Sequence, residues 1–389
     1  MAQANTVFDA IVIGVGSMGA PTCYQLAQRG CKVLGIEQFI APHPFGAHSG
    51  QTRITRKAYF EHPDYVPLLK KTYESLAALE EMTGTQLYHQ TGLVYFGPPE
   101  HALMEGVRHS ASLYQIPLER VNAQEAKERF PQFHLPDHYE TLFEPEAGFL
   151  LADRVIAAYI ERALLLGARI HMQETVLEWK KNERGIEVTT DKGRYQAKKL
   201  VITAGPWAGK MIPALQSALR VTRQTLAWTK PKRWDDFALG RLPCWLCIDE
   251  KQPGSMFGFP MLPAADFGGP LGLKSGHHYP GEICDPDQIE RKTNVDQIAQ
   301  VQAFFDRFMP DACEYLINMS TCMYTNTPDE NFILDLLPGL DGDVAVAAGF
   351  SGHGFKFAPV IGEIMADLAL EGRTSQPVGF LSAERLSIA

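Results

Sequence analysis

Three glycines, Gly14, Gly16 and Gly19, stand in the pattern G-x-G-x-x-G, and Glu37 follows the last of them by eighteen residues. Each position has a physical use. The first glycine makes a tight turn, the second lets a pyrophosphate approach the backbone, and the third lets a helix pack closely on a strand. The helix N-terminus adds partial positive charge, with Ser17 and Met18 inside the turn. An acid at position 37 can accept both ribose hydroxyls and disfavours a 2′-phosphate. The pattern predicts a dinucleotide site but does not by itself choose between FAD and NAD.

A second group is His48-Ser49-Gly50-Gln51-Thr52-Arg53-Ile54-Thr55-Arg56. Two arginines three apart among hydroxyl residues can grip a pyrophosphate or a carboxylate bidentately. The same spacing also suits a solvated surface strand. Cys322, within Ser320-Thr321-Cys322-Met323-Tyr324-Thr325, reads on its own as a small buried hydrophobe. The loop Gly349-Phe350-Ser351-Gly352-His353-Gly354 offers consecutive backbone N–H groups to a phosphate or a flavin oxygen, and Lys356 adds a cation beside it. An apolar strand before it and a periodic helix after it favour a cofactor loop over an ordinary turn. Cys244-Trp245-Leu246-Cys247 lacks the second ligand pair of a zinc ribbon, and His62, His277 and His278 do not make a ligand cluster. No metal is expected.

These groups need elements to place them. Residues 7–13, 20–28 and 32–36 read as strand, helix and strand, with Gly30 closing the helix: a βαβ unit. The spacing of Leu68, Leu69, Tyr73, Leu76 and Leu79 predicts a helix over 65–82. Residues 87–96 read as one strand and 154–166 as a helix. Segments 186–189 and 195–203 read as a hairpin leading into Ala204-Gly205-Pro206-Trp207. Residues 231–285 are rich in Pro and Gly, the texture of a sheet-based second domain. A strand over 343–348 precedes a helix with Phe357, Val360, Ile361, Ile364, Met365 and Leu368 on one face, stopped by Gly372. The two ends of the chain are expected to share one sheet, which makes the nucleotide domain discontinuous.

Composition bounds the rest. A chain of 389 residues predicts two domains, and 45% apolar with 21% charged residues is ordinary globular composition, excluding disorder, collagen and coiled coil. With 36 Lys+Arg against 45 Asp+Glu, the net charge of -9 argues against a nucleic-acid footprint and an anionic membrane surface. Seven cysteines are far too few for a disulfide scaffold. Residues 1–6 lack the basic and apolar regions of a secretory signal, and no run of about eighteen apolar residues spans a bilayer. A cytoplasmic setting is expected.

Taken together, the motifs resemble the monomeric sarcosine oxidase family of flavoproteins, which includes N-methyltryptophan and pipecolate oxidases. The resemblance runs nearly end to end. It is carried by the glycine turn at 14–19, Thr52-Arg53-x-x-Arg56 with Ala58-Tyr59, Phe143-Glu144-Pro145 and Gly272-Leu273-Lys274. Most specific are Cys322-Met323-Tyr324-Thr325 and Gly349-Phe350-Ser351-Gly352-His353-Gly354-Phe355-Lys356-Phe357. It implies an α/β fold with a Rossmann-like FAD-binding domain from residues 1–90, 150–215 and 320–389. A mixed-sheet substrate domain would come from 91–149 and 216–319.

The resemblance also implies roles. Cys322 would carry FAD covalently, and Lys274 would activate O2 over the flavin ring. Arg56 and Lys356 would bind the substrate carboxylate. Arg53 would lie beside the flavin, His278 would line the amine pocket and Tyr324 would flank the substrate. His48, Thr52, Gly352 and Gly354 would contact the cofactor. The implied enzyme is a monomeric oxidase of secondary or N-methylated amino acids, yielding an imine and hydrogen peroxide. The sequence departs from the family at His48-Ser49, where bacterial members carry two adjacent histidines, at Phe257, where sarcosine oxidase carries a tyrosine, and by an insertion over 261–269. Those departures leave open a pipecolate- or N-methyltryptophan-type substrate. A flavin dehydrogenase with another acceptor, and an NAD-type binding protein, are the readings from other classes.

Overall fold

Strand Val7–Ile13 turns through Gly14 into helix Gly19–Gln28, and Val33–Ile36 returns beside the first strand in parallel. The βαβ unit thus forms as its apolar spacing predicts. The computed structural model describes residues 7–279, 281–293 and 295–386; the segment 1–6, expected to carry no leader, lies outside the described residues.

On its other side Val7–Ile13 pairs in parallel with Arg194–Ile202, which pairs in parallel with Val344–Ala348. Arg169–His171 extends the sheet beyond Val33–Ile36. The two ends of the chain therefore meet in one eight-stranded sheet. The hairpin is present as Gly185–Thr190 paired antiparallel with Arg194–Ile202. The central strands are buried along almost their whole length, as parallel strands covered on both faces must be. Helices Gly19–Gln28, Ala152–Leu165 and Ala358–Glu371 pack together over this core. A Cβ on Gly362 would lie 2.6 Å from the backbone of Pro21, so two of these helices touch backbone to backbone.

The second layer is a nine-stranded mixed sheet. Its long members, Arg220–Lys230 and Tyr315–Asn326, run antiparallel along most of their length. Leu273–His278, Ser255–Gly258 and Cys244–Ile248 follow in order, and Leu93–Gly97 then pairs in parallel with Cys244–Ile248. A boundary at residue 320 falls inside the strand Tyr315–Asn326.

One expectation fails. Residues 87–96 are two strands, Tyr88–Gln90 and Leu93–Gly97, in different sheets. Gly92 breaks the run with φ +73°, and a Cβ there would lie 2.3 Å from the Phe143 ring. A left-handed backbone at this spot needs glycine. Among the described residues no helix is long and apolar enough to cross a membrane.

Candidate functional site

Strand ends of the parallel sheet and side chains of the mixed sheet share one cavity of about 350 Å³. Ile13, Ile36 and Thr203, at or just beyond the ends of three parallel strands, line it beside Gly14, Gly16, Ser17 and Met18. Ligands of open α/β sheets bind at such carboxyl ends. Gly14 has φ +86°, and a Cβ on it would lie 2.7 Å from the Thr203 carbonyl oxygen. A Cβ on Gly16 would meet nothing nearer than His48 at 3.7 Å, so backbone is open to the cavity there. Gly19 does not line the cavity; it packs against Gly14 and Thr203.

Glu37 is buried at the end of Val33–Ile36. Its carboxylate accepts from the N–H of Val15 at 2.9 Å and of Phe39 at 3.0 Å, with His43 Nε2 at 3.4 Å. The acid is thereby fixed against the glycine turn. His48 is buried beside His43, its Nε2 has no partner among the described residues, and burial pulls its pKa down to about 3. An open backbone cradle, a fixed acid and an unpartnered buried imidazole nitrogen in one cavity fit a dinucleotide cofactor.

Cys322 and Tyr324 alternate on Tyr315–Asn326, so both reach the same face of the sheet. Both line the cavity. Burial pushes the Cys322 thiol up, opposed by Arg53, Lys274 and Arg291. The Tyr324 hydroxyl lies 3.2 Å from His278 Nδ1, and burial brings His278 down to about 4. Leu246 and Phe257 face each other across paired strands and add an apolar wall with Phe60. Gly276 leaves room for it: a Cβ there would lie 2.6 Å from the Phe257 ring.

Cations crowd another part of the same cavity. Arg56 is buried with its guanidinium 4.2 Å from the Tyr59 ring centre and 4.1 Å from that of Phe60. One of its nitrogens donates to both carboxylate oxygens of Glu61 at 2.7 Å. Burial alone would raise Glu61, but Arg56, His353 and Lys356 outweigh it and hold the acid at about 2. Lys356 donates to the His353 carbonyl at 2.7 Å, and burial together with Arg56 pulls it down to about 7.

The structure thus gathers Gly14, Gly16, Ser17, Met18, Glu37, His48, Arg53, Arg56, Phe257, His278, Cys322, Tyr324, Gly352, Gly354 and Lys356 around one cavity. Thr52 and Lys274, expected beside the cofactor, are not among the residues that line it. The Lys274 ammonium is fully engaged, donating to the carbonyls of Gly50 and Thr52 and to the Thr52 hydroxyl. Burial drives its pKa well below the ordinary lysine range, with Arg53 adding to the effect. Sequence reasoning missed Glu61, Tyr59 as a polar group, and His353. Glu61, in Phe60-Glu61-His62-Pro63, has the look of a solvated turn; its only signal is an acid five residues after an arginine.

Comparison with known proteins agrees with this geometry. The family model for FAD dependent oxidoreductases matches residues 9–368. The monomeric sarcosine oxidase of Streptomyces avermitilis is 36% identical over 386 residues, 99% of each chain. N-methyl-L-tryptophan oxidase of Yersinia pestis is 32% identical over 364 residues, 92% of this chain and 94% of that one. The solved open form of NikD, an amino acid oxidase of nikkomycin biosynthesis, superposes with a TM-score of 0.85 at 26% identity, covering 97% of both chains. Similarity of this extent runs through both large sheets, and the chain belongs to the FAD dependent oxidoreductase family.

Proposed function

We propose that this FAD-dependent amine oxidase acts on secondary or N-methylated amino acids, delivers the electrons to O2 and releases an imine and hydrogen peroxide. The observation that carries the reading is one cavity lined both by the glycine turn with Glu37 and by the cations Arg56 and Lys356. We assign residues 1–90, 150–215 and 320–389 to the cofactor and 91–149 and 216–319 to the substrate. Gly14, Gly16, Ser17, Met18 and Glu37 would hold the dinucleotide, with His48, Arg53, Gly352 and Gly354 along it and Cys322 as its covalent anchor. FAD held there would supply two-electron redox chemistry between the amine and O2.

The chain's own residues do the rest. Arg56 and Lys356 orient the substrate through its carboxylate, and fixing the reacting groups in this way removes entropic cost from the barrier. A guanidinium has five N–H donors, so Arg56 can hold a carboxylate while still bonded to Ala58 and Glu61. His278 is neutral at neutral pH and leaves the substrate amine free to be unprotonated, the form whose lone pair assists C–H cleavage. Leu246, Phe257 and Phe60 keep that side dry and suit an apolar ring or N-substituent. This wall favours a cyclic or aryl-bearing secondary amino acid over sarcosine. Lys274, when protonated, would offer oxygen reduction a positive charge held in place by the carbonyls of Gly50 and Thr52, since negative charge develops first on O2.

A substrate panel of sarcosine, pipecolate, proline and N-methyltryptophan, read as peroxide, tests the activity. Stoichiometric peroxide with at least one member is expected; oxidation of the amine without peroxide would instead mark a dehydrogenase with another acceptor. Acid precipitation tests the anchor: the pellet should stay yellow in the parent enzyme and lose its colour in Cys322→Ser, and a colourless parent pellet would remove the covalent link. Lys274→Met should slow reoxidation by O2 by about a hundredfold while sparing anaerobic reduction by substrate. Equal slowing of both halves would end the oxygen assignment.

A further inference from the structure

The glycine loop brings His353 against a residue almost three hundred positions earlier. Ser351 and Gly352 take φ of +44° and +78°, and the imidazole that follows is buried. Its Nε2 lies 3.0 Å from the Glu330 carbonyl. A carbonyl can only accept, so Nε2 carries the proton and Nδ1 carries a lone pair. The Tyr59 hydroxyl, 2.6 Å from Nδ1, is therefore the donor in that bond. Its own oxygen is left to accept, and Lys356 Nζ donates to it at 3.5 Å. The same Nζ donates to the His353 carbonyl at 2.7 Å. Both of these acceptors of the ammonium thus belong to one tyrosine–histidine pair, and the imidazole tautomer orients the Tyr59 hydroxyl.

We propose that Tyr59 and His353 are positioning residues for Lys356, holding its ammonium aimed and protonated and so setting the pH range over which the site accepts a carboxylate. The inference rests on the reading of Lys356 as part of the carboxylate site. The charges around the lysine explain why it needs such support. Arg56 and Arg53 repel a proton on Nζ, and Glu61 alone attracts one. His353 is pulled down to about 3 by burial, and Tyr59 is pushed well above the ordinary tyrosine range. The pair is therefore neutral and its donor direction does not change near neutral pH.

The sign follows. Lys356 sits near 7, below an ordinary lysine, so its charge is present below that pH and lost above it. Of the groups around it, Glu61 at about 2, His278 at about 4 and His353 at about 3 titrate lower. Tyr59, Tyr324 and Arg56 are all raised. Among these groups Lys356 is the one that changes charge around neutrality. Removing an acceptor from the ammonium moves that change to lower pH.

Benzoate, a carboxylate without an amine, is the probe, titrated into the holoenzyme from pH about 5.5 to about 9 and read by the flavin spectrum. The parent should bind it well in acid and weaken as pH rises through about 7. Tyr59→Phe keeps the ring against Arg56 and removes only the hydroxyl. It should shift the midpoint down by about one pH unit, weakening binding about fivefold at pH 7 and approaching about tenfold at higher pH, with acid-plateau affinity nearly unchanged. His353→Gln keeps the backbone carbonyl but takes away the ring nitrogen that fixes the Tyr59 hydroxyl, so it should move the midpoint the same way by a smaller amount, which covers a failure of the first variant to fold. Lys356→Met should abolish the pH dependence and weaken the acid plateau. If Lys356→Met binds benzoate like the parent at every pH, the carboxylate reading fails and takes this inference with it. If Lys356→Met loses the pH dependence but Tyr59→Phe and His353→Gln keep the parent midpoint, the positioning role alone is overturned.

Discussion

A buried arginine paired with a buried glutamate governs the character of this site. Arg56 and Glu61 are five residues apart, and the guanidinium lies against the rings of both Tyr59 and Phe60. Removing either charge alone would leave the other uncompensated in an apolar setting, a loss of about 3–5 kcal/mol for typical buried pairs. The pair therefore pins the segment 56–61 in place. Around Lys356 the interacting charges are Arg56, Arg53 and Glu61. Counting the lysine, three cations face one carboxylate, so the region keeps two positive charges while Lys356 is protonated. An anionic group on the ligand is the natural complement, and Leu246, Phe257 and Phe60 add an apolar wall to the same cavity.

The dinucleotide half of the cavity depends on backbone rather than charge. Gly14 turns the chain under the Thr203 carbonyl, Gly16 leaves it bare, and Glu37 is tied back to the Val15 N–H. Gly352 plays a similar part on the opposite loop, where a Cβ would run 2.3 Å from the Tyr324 ring. These close approaches bring the N-terminal turn, the strand Tyr315–Asn326 and the loop at 349–354 to one space. The glycine turn with Glu37 and the cations Arg56 and Lys356, proposed to hold the cofactor and a carboxylate, then line a single cavity.

Local periodicity made the parallel sheet legible. Val7–Ile13 and Val344–Ala348 are short apolar runs ended by glycine, and their length and flanking glycines mark them as buried strands. The run 87–96 misled because one glycine between two apolar stretches gives no hint of a change of sheet; the Phe143 ring that forbids a side chain there lies on another strand. At the site, Arg56 and Lys356 were assigned through the family's motifs, and the structure brings them together. Glu61 and the Tyr59–His353 bond escaped notice because their burial is created by partners up to 294 residues away. Lys274 carries a similar lesson: nothing in Gly272-Leu273-Lys274 indicates that its ammonium is spent on the carbonyls of Gly50 and Thr52.

The central claim is that a secondary amino acid, held by its carboxylate in this cavity, reduces a flavin bound in the same cavity. Anaerobic mixing of the purified holoenzyme with the best amino-acid substrate tests it most directly. One equivalent of substrate should bleach the flavin absorption fully, while the matching amine without a carboxylate should bleach it far more slowly. Equal rates for the two amines, or no bleaching by any secondary amino acid, would contradict the account.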